Sequence, residues 1–565
     1  MQVKIGQPKV MQVKTGQSKV TQVISQTKQA VSQVSKLVSI LLTVTVMFTM
    51  FVAIPQTAYA APNEKELVNY IRNFNPGNGG PTTGQLSAVA DTTNHTVTVS
   101  GNVTDAQYTL TLNIDAETKV IWVAQYSGWT KGTSLLELTG AGTFEVSRKG
   151  SVTNLGPGHT IKATSNQSLI RIDGGTAEAA SVGNAINTAG SVEVNKGTVT
   201  STTANAIVVN GSAVKFGASV LVSGGEVKTT QSGNAIYTTE PNIKVVVSGG
   251  LVSAAGSKIN AGDMSAIGTM NCAISARGAG TKVSVTGGVV QSTAQQGIAI
   301  VSSYVSVSGG VVEATGANGS AITTNIQGSD ILIGGGKVAS QGMPAIIVYG
   351  YYSTIEVTGG HVINTGFGHA ILNWGDYSEI KTYCNAVIEA SKLDAIRNEG
   401  RNVEITIVGG QIKAGLVGDA IHNNSATGVN LNMFGGEVSA TLGHAIYSEQ
   451  GHVDIYGGFL FAYGTSVIGE NQVLYVKNGY PLLVGCSAAC AWNKAAMQTT
   501  YIAGTTSHLV SDGGGIFGFQ PAVWGKVGTQ SGICYYGCSE GFFPIDIVNV
   551  NPPFKPHPGS DFVSR

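Results

Sequence analysis

The sequence predicts an all-β solenoid, a parallel β-helix with coils of about 25 residues. Three observations lead there. Ala-Ile pairs begin at Ala345, Ala370, Ala395, Ala420 and Ala445, each 25 residues from the last, and looser ones begin at Ala185, Ala206, Ala235, Ala273, Ala299 and Ala321. Short alternating strands (VSVTGG, VSVSGG, ILIGGG, IEVTGG, ITIVGG) follow most pairs and end in Gly-Gly, a dipeptide that supplies the backbone freedom of a sharp corner. Glycine is 76 of 565 residues and only 11% of the chain is charged, against about 7% and 25% in ordinary soluble domains. Few prolines and regularly placed valine and isoleucine favour order over low-complexity disorder.

A repeat this small cannot bury its own apolar face, so stacked neighbours must supply the core and pair every strand in parallel with the next, at about 4.8 Å per coil. The period places Ile355, Ile380 and Ile405 in one interior stack and Val362, Val387 and Ile412 in another. Cys384-Asn385 replaces Gly-Gly in one coil, which predicts a modified corner there. Between Gly250 and Gly287 the spacing stretches to 37 residues, which predicts a loop inserted near 257–271.

Along the chain, residues 1–60 carry six lysines and no acid, then an apolar run over 37–54, then Ala58-Tyr59-Ala60. That order reads as a secretory signal peptide with the mature start at Ala61; the competing reading is a membrane anchor, because the run is at the short end of a spanning helix. Two near-duplicate decapeptides open the chain, and Met11 is a second candidate start. Residues 61–94 read as a capping helix and linker, with Asn63 and Glu66 spaced for a capping box and Leu67, Ile71 and Phe74 on one face, followed by a Gly/Pro stretch. The β-helix is expected over 95–476, a small β module with four cysteines over 477–550, and an extended Pro-rich tail over 551–565. Removal of the leader leaves 26 basic against 32 acidic residues. That balance argues against nucleic acid as a partner, and no membrane contact is expected once the leader is gone.

Four stretches carry a family resemblance: TKVIWVAQYSG from Thr118, LLELTGAGTFEVSRKGSV from Leu135, and AWNKA and WGKVGTQSGICYYGCSEGFFPI near the end. With the VxVxGGxV coils, they resemble uncharacterised secreted or cell-surface repeat proteins of bacteria whose coils are similar to the pectin-lyase-like right-handed parallel β-helix. The resemblance implies that fold and an extracellular or surface location. It implies no reaction, because the fold serves lyases, hydrolases, adhesins and passive stalks alike. The C-terminal cysteines depart from the family pattern.

Cys486, Cys490, Cys534 and Cys538 form two Cys-x3-Cys pairs. Disulfides suit an oxidising destination, and a four-thiolate zinc site is the alternative, although structural zinc usually shows the tighter Cys-x2-Cys spacing. Cys272 and Cys384 read as buried thiols outside any bridge. The 25-residue register stacks His369, Asp394, Asp419 and His444 in one column, Leu372, Arg397, His422 and Tyr447 in a second, and Asn373, Asn398 and Asn423 in a third. The asparagines read as a hydrogen-bonded ladder. Asp394 and Asp419, about 5 Å apart on adjacent coils, match the carboxylate separation of a retaining glycosidase, with His422 and Arg397 to tune them. A metal held by His369, Asp394, Asp419 and His444 is a second reading. The third is that Asp, Asn and His simply favour turn corners.

Tyr349 and Trp374, and Tyr352 and Tyr377, also stand 25 apart. Stacked rings with few charges offer a surface to sugars, or merely stabilise neighbouring coils. The sequence carries no Gly-x-Ser-x-Gly elbow, no His-Glu-x-x-His, no P-loop and no calcium-binding nonapeptide array, and no cofactor is expected. The leading expectation is a non-catalytic extracellular or surface protein with an adhesion or matrix role, binding polysaccharide or cell-wall glycan. A polysaccharide lyase or glycoside hydrolase is the first alternative, and a structural stalk or filament subunit the second.

Overall fold

The computed structural model describes residues 64–77, 84–130, 133–211, 219–256, 271–425, 427–441 and 443–448, and strand segments between 452 and 546. Residues 1–60 with the expected signal peptide, Asn63, residues 257–270 with the expected inserted loop, Cys486 and the expected Pro-rich tail lie outside the described residues, as does the side chain of Cys384.

Each coil has three walls. In one of the most regular, Asp330–Ile333 is followed by the corner Gly334, Gly335 and Gly336, then Lys337–Ser340, a short turn, and Ile346–Val348. Alternation turns Ile331, Ile333 and Val338 inward, where they are wholly buried, while Asp330, Leu332 and Lys337 face out. The first and second walls join in a 28-stranded sheet and the third forms a 14-stranded sheet. Pairing up the coils is parallel, so Ile346, Ile371, Ile396, Ile421 and Ile446 sit in register with no exposed surface. The fold is thus a parallel β-solenoid of roughly 25-residue coils.

The corner between the first two walls depends on glycine. Gly336 and Gly360 stack there with φ of 70° and 76°, and a Cβ on Gly360 would lie 2.6 Å from the Gly335 carbonyl carbon. Only a residue without a side chain fits that approach.

The coil with Cys384-Asn385 does have a modified corner, and it overturns one expected stack. The strand Glu379–Ala390 runs through the corner unbroken, and the pairing shifts by one residue between Val357 and Gly359. The extra residue is a bulge. Ile388, not Val387, therefore stacks between Val362 and Ile412 inside, and Val387 turns half outward. The Ile355, Ile380 and Ile405 stack keeps its register and is fully buried. The coil between Lys244 and Lys282 takes 38 residues, as the stretched glycine spacing predicts.

The N-terminal end is closed. Helix α1 (Glu64–Asn73) buries Leu67, Val68 and Ile71 in the solenoid core, with Phe74 packed beside them. Its first-turn acids, Glu64 and Glu66, and last-turn Arg72 complement the helix dipole. Strand β1 (Leu86–Asp91) comes before the first strand signal in the sequence and pairs antiparallel with Thr96–Gly101 of β2 (Thr96–Ala106), reversing the chain over the first coil. Just above, Trp122 packs edge-on to Tyr126 at 5.7 Å and against Phe144 at 5.6 Å, filling the wide first coils.

Beyond residue 476 the solenoid sheet continues: Ala489–Asn493 pairs in parallel with Gly458–Ala462, and Ser507–Leu509 with His452–Ile455. An antiparallel hairpin, Ile533–Cys538 with Gly541–Asp546, follows. Cys534 and Cys538 sit on one extended strand, so their Cα atoms are about 13 Å apart, too far to bridge each other. Any disulfide they form runs to another cysteine.

Candidate functional site

The columns expected from the period exist, and their geometry decides what they can do. His369, Asp394, Asp419 and His444 stand at the turn leading into the third wall; the first three side chains reach along the solenoid axis to the next coil, and that of His444 turns back to Asp419. The Asp394 backbone N–H donates to His369 Nδ1 at 3.2 Å, that of Asp419 to Asp394 Oδ1 at 2.8 Å, and that of His444 to Asp419 Oδ1 at 2.6 Å. Each coil supplies the acceptor for an amide that the ladder would leave unpaired.

Side-chain pairs complete the constellation. His422 Nδ1 meets Asp419 Oδ2 at 2.5 Å and His444 Nδ1 meets Oδ1 at 2.9 Å, so two imidazoles flank one carboxylate. Burial would raise the Asp419 pKa, but the hydrogen bonds from His422 and His444 outweigh it and hold the carboxyl well below the usual range. Arg397 donates to Asp394 Oδ2 at 3.1 Å and to Glu399 Oε1 at 2.6 Å, and Glu399 accepts from Asn424 at 2.9 Å. At His369, Nδ1 is already an acceptor, and burial pushes the imidazole pKa down, so the ring is held neutral. Tyr447 covers His422 at 4.6 Å, nearly parallel.

This arrangement suits positioning better than acid–base turnover. Asp394 and Asp419 are only 5% and 7% exposed, and three of about four lone-pair sites on Asp419 are taken. A retaining glycosidase needs one protonated carboxyl as acid beside an ionised nucleophile; with Asp419 held ionised the acid would have to be Asp394, whose two oxygens already accept from the Asp419 N–H and from Arg397. One ligand atom each from Asp394, Asp419 and His422 lie within 4.8 Å of one another. A cation there would compete with the imidazole donors and with the Arg397 guanidinium.

The third column is the expected amide ladder. Asn373 Nδ2 donates to Asn398 Oδ1, Asn398 to Asn423 Oδ1 and Asn423 to Ser448 Oγ at 2.8 to 2.9 Å, all inside the solenoid. Asn373 and Asn398 also close their own turns on Gly375 and Gly400.

The aromatic residues lie on the opposite turn, between the third and first walls. Tyr352 and Tyr377 stack at 5.1 Å with their planes 14° apart, both half exposed, beside exposed Tyr351 and Trp374. Tyr349 leans back against Cys272, Ile298 and Val301 and is half-buried. Burial pushes the Cys272 thiol up to about 12, which makes it unreactive. Two features escaped the sequence. Tyr352 and Tyr377 adopt the left-handed backbone, φ 57° and 58°. The equivalent positions on the coils below and above are Gly328, Asn402 and Gly428, also left-handed. Glu399 was also missed, although it stands 25 residues after Trp374.

Among the described residues no helix is long and apolar enough to cross a membrane. The chain matches no family model, no curated protein and no solved structure, so the functional reading rests on its own residues.

Proposed function

We propose that this chain is a non-catalytic extracellular or cell-surface protein, a solenoid of the pectin-lyase-like right-handed kind, that binds polysaccharide at the aromatic turn of its C-terminal coils. The observation that carries the reading is the stacked pair Tyr352 and Tyr377 in left-handed backbone. That conformation costs roughly 1–2 kcal/mol for a residue with a side chain, and a ring stack returns only about 0.5–1.5 kcal/mol. Stability alone therefore gives little reason to place tyrosines where neighbouring coils use glycine or asparagine. Strained, exposed groups held by a rigid scaffold are how binding sites are built.

The leader over 1–60 supports export, with Ala61 as the mature N-terminus, and the destination supports disulfides among Cys486, Cys490, Cys534 and Cys538. The engagement of Asp394, Asp419, His422 and Arg397 with one another weighs against a hydrolase or lyase at that column. Closure of the N-terminal end by α1 and an antiparallel hairpin weighs against a filament growing from that end. The test is a glycan array probed with the full chain. Retention of neutral polysaccharides that falls at least tenfold in Tyr352→Ala/Trp374→Ala supports the reading; new reducing ends or unsaturated products, lost on Asp394→Asn, would replace it with catalysis.

A further inference from the structure

The tyrosine stack stops abruptly at its lower end. Gly328 occupies the position under Tyr352, in the same left-handed conformation (φ 68°), and a Cβ built there meets no atom within 4 Å. The coil below contributes no ledge: one residue, Ser303, joins strand Ile298–Ser302 to strand Tyr304–Val307, whereas five separate Ser320–Thr324 from Asp330–Ile333. The protruding turn, present on lower coils with Asn242 and Gly280 at the same position, is interrupted there and resumes at Gly328. Among the described residues no ring stacks on the face of Tyr352 turned away from Tyr377.

We infer that this uncovered face of Tyr352, over Gly328, is the seat of one pyranose ring of a neutral polysaccharide, which continues the aromatic stack by one member. The inference rests on the carbohydrate-binding reading and names its contact. The two tyrosines are 5.1 Å apart, about one coil. A sugar ring at Gly328 would repeat that spacing with its apolar C–H face on Tyr352. Its hydroxyl edge would face solvent beside the exposed side chains of Gln327 and Tyr351. An apolar face with a polar rim fits a pyranose better than a wholly apolar ring. The Arg401 guanidinium of this turn pairs with Asp376 at 2.9 and 3.1 Å. Its charge is thereby countered, which favours a neutral sugar over an acidic one.

Affinity electrophoresis of the full chain in gels containing a neutral β-glucan, with polygalacturonate as the charged control, tests this seat. Gly328→Tyr supplies the missing ring from the protein itself, in a backbone conformation that tyrosine already adopts one and two coils above. Gly328→Ala imposes the same backbone demand without filling the seat. The expected result is glucan retardation of the wild-type chain, within twofold of that value for Gly328→Ala, and at least tenfold weaker for Gly328→Tyr, with thermal unfolding midpoints confirming that both variants fold. Full retention by Gly328→Tyr alongside loss in Tyr352→Ala/Trp374→Ala would overturn the seat and leave the aromatic turn standing. Absence of wild-type retardation by any neutral polysaccharide would overturn both, and preference for polygalacturonate would overturn the neutral assignment.

Discussion

The solenoid uses one hydrogen-bonding device at both ends with different chemistry. In the early coils the column before the third wall is neutral: the Asn184 N–H donates to His159 Nδ1, that of Asn205 to Asn184 Oδ1, that of Asn234 to Asn205 Oδ1, and that of Cys272 to Asn234 Oδ1, at 2.8 to 3.3 Å. In the late coils His369, Asp394, Asp419 and His444 make the same contacts with carboxylates in place of amides. The shared geometry calls for an acceptor, not for a charge. The late column adds carboxylates and engages them internally, Asp394 with Arg397 and Asp419 with His422 and His444, which is the behaviour of a structural network rather than an open active site.

The two columns differ most at Asp419. Asp419→Ala leaves an amide and two imidazoles without their shared acceptor and should cost about 3–5 kcal/mol, as for a broken buried ion pair. Asn205→Ala in the neutral column should cost only about 1–3 kcal/mol. Urea unfolding of the two variants measures the difference, and equal costs would mean that the late charges add nothing.

Acid separates the columns next. Burial holds the His369 imidazole below its ordinary range, and burial followed by repulsion from Lys162 does the same for His159. Below about pH 6.5 the unfolded chain takes up protons that these folded rings do not. Both regions should therefore lose stability as pH falls through that range. Asp419 has its folded pKa below the unfolded value near 4, so its contribution is complete above about pH 4 and drains away as pH falls further. A second acid step is expected from the late column alone, and it should vanish in Asp419→Asn, read from the urea midpoint against pH.

The smallest effect belongs to the aromatic turn. Tyr352→Gly relieves the left-handed backbone of a side chain but loses the stack on Tyr377, so the two terms should nearly cancel, to within about 1 kcal/mol. A larger loss would assign the tyrosines to holding coils together.

Much of this was legible in the sequence because a constant period converts spacing into neighbourhood. The stack of Ile355, Ile380 and Ile405 and the ladder of Asn373, Asn398 and Asn423 follow directly from 25-residue steps. The Val387 position failed because Cys384-Asn385 keeps the repeat length while moving one residue across the corner, and a one-residue slip exchanges inside for outside. The neutral column was not recognised because coil lengths vary there, with Asn205 and Asn234 29 residues apart. The left-handed tyrosines could not be read from residue type, since glycine and asparagine signal that conformation and tyrosine does not. The axial reach of Asp394 and Asp419, which engages their oxygens with backbone amides, is likewise a property of turn geometry.

The charged column holds the late coils together, and the aromatic turn is their proposed ligand surface. The most direct measurement compares Asp419→Asn and Tyr352→Ala for both polysaccharide retention and unfolding midpoint. Asp419→Asn should lower the midpoint and keep retention within twofold, while Tyr352→Ala should reduce retention at least tenfold and lose no more stability than the ring stack supplies, about 0.5–1.5 kcal/mol. Loss of retention in Asp419→Asn with full retention in Tyr352→Ala would contradict the account.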